Sequence, residues 1–235
     1  MPEFQPVYEA AGSLSVRLEA AEVEHPPGHR YRHHRLVVAD GRPGVAVAAR
    51  RGAQLLMVRS VRVSTGEELW ELPRGSSEAV DAVGGAIGTD ALGGAIGTDA
   101  VGDAAGTSAV GGATGASAAG EPDDAYSDAA LIRAAMRELF EETGYTGVDP
   151  RVIGRYYVDS TMFPQRFGIV ACTVDESVPL GTTDEEVEEA RWFELAELRR
   201  LAGEYGIRDA HTLVALGLVA GPEADPRESG TGRTA

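Results

Sequence analysis

The run Arg137-Glu138-Leu139-Phe140-Glu141-Glu142-Thr143-Gly144-Tyr145 sets the tightest limit on how this chain folds. On an α-helix, side chains three and four apart share a face, so Glu138, Glu141 and Glu142 lie together. Three carboxylates at that spacing repel one another and call for a cation. Arg137 can hold a carboxylate in a bidentate grip. Hard divalent cations take oxygen ligands and keep waters for phosphate substrates. Gly144 stands where a helix stops in the left-handed cap position. Two adjacent glutamates alone would read as a solvated acidic face. The whole run, with an apolar residue between the acids and a glycine stop, argues for a built site.

The rest of the chain arranges strands around this helix. Leu14, Val16 and Leu18 alternate with polar residues over 13–24, the pattern of a strand with one buried face. His25-Pro26-Pro27-Gly28 breaks it, and Tyr31 to Ala39 forms a second strand, giving a hairpin. His33 and His34 are adjacent on that strand and face opposite ways, which makes them a poor metal pair. Residues 44–49 and 54–63 are strands joined at Arg50-Arg51-Gly52, and Leu69 to Leu72 is a short strand. Ser127 to Thr143 is a helix capped by Ser127 or Asp128. Leu131, Ala135 and Leu139, flanked by Ile132, form its apolar stripe. Residues 152–158, 166–174 and 187–193 are strands, and Glu194–Glu204 and Ile207–Val219 are helices. This order predicts an α/β layered domain.

Residues 82–117 stand apart. They hold four nine-residue copies, AVGGAIGTD, ALGGAIGTD, AVGDAAGTS and AVGGATGAS. Ordering a glycine-rich backbone costs about 1–2 kcal/mol per residue. The few Ile, Leu and Val cannot offset that, so a disordered or loosely ordered insertion over 79–122 is expected. A stacked solenoid is the other reading of such a period, and the order needed for a calcium-binding roll is not kept. Residues 221–235 read as a disordered tail.

Composition removes several functions. The chain carries 37 acidic and 21 basic residues, a net charge of −16. That charge disfavours nucleic acid and anionic membrane as partners, yet a bound cation would reverse the local field for a phosphate substrate. The basic residues are all arginine, so no lysine serves in catalysis. Cys172 is the only cysteine; no internal disulfide can form, which fits a reducing cytoplasm, and the thiol reads as buried and inert. Residues 1–20 lack a basic start and an apolar core, so no signal peptide is expected. No stretch reaches about 18 uninterrupted apolar residues, so no membrane span is expected.

The Arg137–Tyr145 run resembles the second half of the Nudix hydrolase motif, G-x5-E-x7-R-E-U-x-E-E-x-G-U, and matches its fixed positions. The resemblance extends over Pro43 to Leu198. Trp70-Glu71-Leu72-Pro73-Arg74-Gly75 resembles the E-L-P-x-G lead-in of the ADP-ribose pyrophosphatase branch. Ala190-Arg191-Trp192-Phe193-Glu194-Leu195 is similar to that branch's last strand and final helix entry. It implies a Nudix fold over 43–220, a mixed sheet between helices, preceded by an N-terminal β-hairpin region over 1–42.

What the resemblance implies about chemistry is specific. Glu138, Glu141 and Glu142 would hold Mg²⁺, or Mn²⁺, with Gly75 lending a backbone carbonyl. Arg137 would orient one of these carboxylates. Glu186, in the loop before the last strand, would serve as general base, although a solvated acidic loop is an equal reading. Arg62, Glu71 and Arg74 would meet the substrate, with a surface ion pair as the alternative for each. The substrate would be a small nucleotide, ADP-ribose or a related nucleotide-sugar, cleaved at its pyrophosphate bond. The rival function is a Nudix-fold nucleotide sensor with weak or no turnover. A homodimer through the N-terminal strands is expected, since an unpaired edge hairpin exposes hydrogen-bonding groups.

The motif's first half departs from the family. Gly75 and Arg137 lie 62 positions apart, where the family spaces them by 14. The position of the family's first Glu holds Ala129. Counting forward from Gly75 reaches Asp81; Asp128, Glu78 and Glu121 are other nearby acids, and none fills the place cleanly. Loop length is thermodynamically cheap, about 0.6 kcal/mol per doubling, so the fold should persist.

Overall fold

The structure is a computed structural model and describes residues 2–12, 14–25, 28–77, 124–174 and 187–219. The 82–117 repeat, Asp81, Glu78, Glu121, Glu186 and the 221–235 tail lie outside the described residues.

Strands β1 (Gln5–Ala10), β2 (Val16–His25) and β3 (His29–Val38) form an antiparallel sheet in that order. β2 and β3 pair without interruption from Val16↔Val38 to His25↔His29. Gly28 enters β3 from the turn with φ +75°, a conformation cheap only for glycine. The expected hairpin therefore has a third strand. β1 hid because Pro6 interrupts it and its register slips between Pro6 and Tyr8; a residue with no amide donor fits a sheet edge.

The main body contains β4 (Gly44–Arg51), β5 (Gln54–Arg62), β6 (Glu67–Glu71), β7 (Arg74–Ser76), α1 (Asp128–Thr143), β8 (Gly147–Tyr157), β9 (Arg166–Val174), β10 (Val187–Glu194), α2 (Leu195–Gly203) and α3 (Ala210–Leu218). The sheet runs β10-β5-β4-β9-β8, with β6 joined to β5 and β7 to β4. β4 and β9 are parallel; the other pairs are antiparallel. Gly44 to Ala49 is apolar throughout and buried, as a central strand covered on both faces requires. Val45, Val47, Leu56, Val170 and Cys172 pack on one face with Leu131, Ala135 and Leu139 of α1. Ala46, Ala48, Leu55, Met57 and Ile169 pack on the other with Leu195, Leu198, Ala215 and Leu216 of α2 and α3. The result is the layered α/β arrangement, a mixed sheet between helices. Burial pushes the Cys172 thiol up to about 12, which leaves it inert at neutral pH.

Three boundaries differ from expectation. β8 begins at Gly147 rather than 152, because Asp149 (φ +50°) and a register shift between Val148 and Arg151 hide an edge-strand bulge. β7 was not expected; three residues carry no periodic signal. α3 begins at Ala210, later than Ile207, because Asp209 caps it by accepting the Thr212 N–H at 2.8 Å.

The sheet splits where the site forms. β4 pairs with β5 only beside their turn, at Arg50↔Leu55 and Arg51↔Gln54. Farther along, the segment 72–76 takes β5's place. The Val47 N–H donates to the Pro73 carbonyl at 2.8 Å, and Ala46, Val45 and Gly44 pair with Arg74, Gly75 and Ser76. This segment is a strap lying along β4 and over α1. Just beyond it, Ser77 Oγ donates to the Ala125 carbonyl at 2.6 Å. The described segments that flank residues 78–123 thus meet at a hydrogen bond.

Candidate active site

α1 holds its register at both ends. Ser127 accepts the Ala130 N–H at 3.3 Å, a side-chain cap worth about 1 kcal/mol. Gly144 has φ +70°, and its N–H donates to the Phe140 carbonyl at 2.8 Å. Leu131, Ala135 and Leu139 are fully buried on the sheet side, which turns Glu138 and Glu142 toward the strap. Tyr145 follows the cap, where its hydroxyl accepts from Trp192 Nε1 at 3.2 Å.

The strap meets the helix at Gly75. A Cβ there would fall 2.0 Å from Glu138 Cδ and 2.1 Å from its Oε1. Glycine is required here for space, since its backbone passes directly over the carboxyl group. Arg137 Nη2 donates to Glu138 Oε1 at 2.7 Å and to the Ser76 carbonyl at 3.0 Å. Its Nε lies 3.6 Å from Glu141 Oε2. One guanidinium therefore holds two of the three carboxylates and ties the strap to α1.

Glu142 is the unusual member. Burial first, and the neighbouring Glu138 charge second, push its carboxyl up to about 8; the Arg74 amide, Arg62 and Arg74 oppose the shift. Its Oε1 accepts the Arg74 N–H at a long 3.5 Å. Among the described residues, its Oε2 is buried with no hydrogen-bond partner. A buried carboxylate oxygen without a partner is costly, and a carboxylate neighbour adds to the cost of the Glu142 charge. Those features fit a divalent cation between Glu138 and Glu142. Glu141 is turned outward, its side chain 54% exposed and drawn to Arg137. Among the described residues, no three His, Cys, Asp or Glu side chains converge as a ready-made metal group.

The predicted substrate residues lie on the other side of the strap. Glu71 is fully buried. Its Oε2 accepts from Arg62 Nη2 at 2.5 Å and from Arg74 Nε at 3.0 Å, and Arg62 Nε spans both oxygens. Glu71, expected from the sequence to meet the substrate with an ion pair as the alternative, anchors two arginines. Their side chains are 26% and 24% exposed and remain at the surface of the cleft. Asp128 is also removed from the site: it is exposed and pairs with Arg155. Ala129, at the place of the family's first Glu, is exposed on the same turn.

Sequence reasoning missed the support beneath the strap. Asp209 and Thr212 are buried beside Arg74 and Leu72, and His211 stacks on Phe167 at 3.9 Å between ring centres. An Asp directly before an apolar helical run is a cap signal, and it would have located Asp209.

Residues 115–214 match the NUDIX domain model. Gly75 and the strap precede that span, on the far side of the repeat. No curated protein matches the chain. A solved structure described as "Crystal structure of ADP compounds hydrolase" aligns with a TM-score of 0.57 at 18% sequence identity, covering 92% of this chain and 91% of that one. That likeness is one of fold. Together with the Arg137–Tyr145 helix end and the glycine strap above it, the domain match makes residues 115–214 of this chain similar to a NUDIX domain.

Proposed function

We propose that the chain hydrolyses the pyrophosphate bond of a nucleoside diphosphate joined to another group, with ADP-ribose or a related nucleotide-sugar as substrate and Mg²⁺ as cofactor, Mn²⁺ substituting. The observation that carries this reading is the partnerless, buried Glu142 Oε2 beside Glu138 beneath Gly75. Glu138, Glu142 and the Gly75 carbonyl would hold the cation, with Glu141 completing the set. A cation held there supplies Lewis-acid stabilisation of the charge that develops on the phosphoryl oxygens.

The chain's own residues do the rest. Arg137 fixes the Glu138 carboxylate and the strap. Arg62 and Arg74, spread over buried Glu71, offer positive charge to the substrate's phosphates. Glu186 would take a proton from the attacking water. Water adds to one phosphorus, the P–O–P bridge breaks, and two phosphate monoesters leave. With ADP-ribose, these are AMP and ribose 5-phosphate. A homodimer through the β1–β3 sheet belongs to the same reading. Light scattering that returns one 24.6 kDa chain at rising concentration would remove that part.

The test is product chromatography on a panel of ADP-ribose, other nucleotide-sugars and dinucleoside polyphosphates, with Mg²⁺ and with chelator. AMP released from ADP-ribose only with the cation is the expected result. Tight binding of ADP-ribose without turnover would replace the enzyme with the sensor.

A further inference from the structure

α3 lies on the opposite face of the sheet from α1, yet its first turn grips the strap. Thr212 Oγ1 accepts the Leu72 N–H at 3.0 Å and donates to Asp209 Oδ2 at 2.7 Å. The other Asp209 oxygen, Oδ1, lies 3.7 Å from Arg74 Nη2. Thr212 is fully buried and Asp209 is 7% exposed. Two residues that begin one helix thus hold both ends of Leu72-Pro73-Arg74. The next contacts along that segment are the Arg74 N–H on Glu142 and Gly75 over Glu138.

A helix cap alone does not require this arrangement. Capping uses the Asp209 oxygen that faces the Thr212 N–H. The second oxygen faces Arg74 at ion-pair distance, and the Thr212 hydroxyl, while donating to Asp209, also accepts the Leu72 N–H of the strap. A buried hydrogen bond at one end and a charge pair at the other fix a segment more firmly than packing does, because a shift leaves the buried Leu72 N–H unpaired.

We propose that Asp209 and Thr212 are positioning residues for the cation site. They set the height of the strap over α1 from across the sheet, and so the spacing between Gly75, Glu138 and Glu142. The inference rests on the hydrolase reading above, since it concerns the same cation.

Asp209→Asn separates the two roles: Asn caps helices as well as Asp but offers Arg74 no charge. Thr212→Val removes the acceptor for Leu72, and Thr212→Ser keeps it. Mn²⁺ binding to the full chain by paramagnetic resonance, and thermal unfolding in chelator, are read for each. Asp209→Asn and Thr212→Val should weaken Mn²⁺ binding about tenfold, as supporting residues around a metal typically do. Unfolding in chelator should move little for Asp209→Asn, and Thr212→Ser should restore wild-type affinity. The Mg²⁺ concentration for half-maximal turnover should rise, with kcat recovering at saturation. Unchanged Mn²⁺ affinity in both variants would overturn the proposal, as would loss of fold in both. If the wild-type chain binds no Mn²⁺, the cation reading itself fails, and this inference falls with it.

Discussion

Glu71 is a buried carboxylate and Glu142 a half-buried one, and they flank the same strap. Glu71 has two arginines on it and no unmet need. Glu142 has one long hydrogen bond, a carboxylate neighbour and, among the described residues, an oxygen with no partner. Folding accounts for the first, because a buried charge is tolerated when paired and hydrogen-bonded. It does not account for the second. The shortage of positive charge at Glu142 supports the proposed cation site. The contrast separates scaffold from chemistry within a few residues.

The largest expected effect breaks the Glu142 side. Glu142→Gln should lower turnover by about 10²–10³-fold, the usual cost of losing one electrostatic contribution to a transition state. Its unfolding temperature in chelator should hold or rise, because an unfavourable charge is gone. Turnover near wild type would sink the assignment of Glu142 to the cation.

Next is Glu71→Gln, which should act on stability. It leaves Arg62 and Arg74 facing each other without their shared anion. Breaking a buried pair costs about 3–5 kcal/mol, and the partial exposure of both arginines brings this to about 2–3 kcal/mol. Urea unfolding checks it; a loss of activity with no loss of stability would mean Glu71 meets the substrate after all.

A smaller effect sharpens the scaffold side. Burial first, then Arg74, hold His211 down to about 4, below its ordinary value near 6.5. The folded state refuses a proton that the unfolded state accepts below about pH 6.5. Stability should therefore fall as pH drops from about 6.5 to about 4 and level off below. His211→Asn should flatten that part of the curve in a urea-unfolding series, and an unchanged slope would count against it.

The smallest effect belongs to the repeat. Deleting residues 82–117 should preserve fold and hydrolysis and shift stability by about 1 kcal/mol through loop closure alone. A large fall in unfolding temperature would show that the repeat packs.

How far the sequence could be read follows the range of each interaction. α1 was legible to its caps, because Ser127, the Leu131-Ala135-Leu139 stripe and Gly144 are local signals. The buried runs of β4, β5 and β9 were legible for the same reason. The lead-in Glu71 was found, but its role was not: nothing local says that Arg62 and Arg74 converge on it across a strand pair. The strap β7 is too short for a periodic signal, and the Asp209–Thr212 grip joins residues about 140 positions apart, with nothing local to announce it. Gly75 was identified by position, and only the geometry gives the reason, a carboxyl group where its side chain would be.

The Ser77–Ala125 hydrogen bond has a consequence for how the molecule could be cut. The strap and its glycine belong to the stretch before the repeat, and the acidic helix to the stretch after it. They meet through Arg137 and Ser76 and through shared strand pairing, β4 with β9 and β5 with β10. A single proteolytic nick between residues 78 and 123 would therefore leave two fragments that each hold half of the proposed cation site and a share of one sheet. Such halves are natural partners for complementation: expressed separately, they would regain hydrolysis only on reassembly.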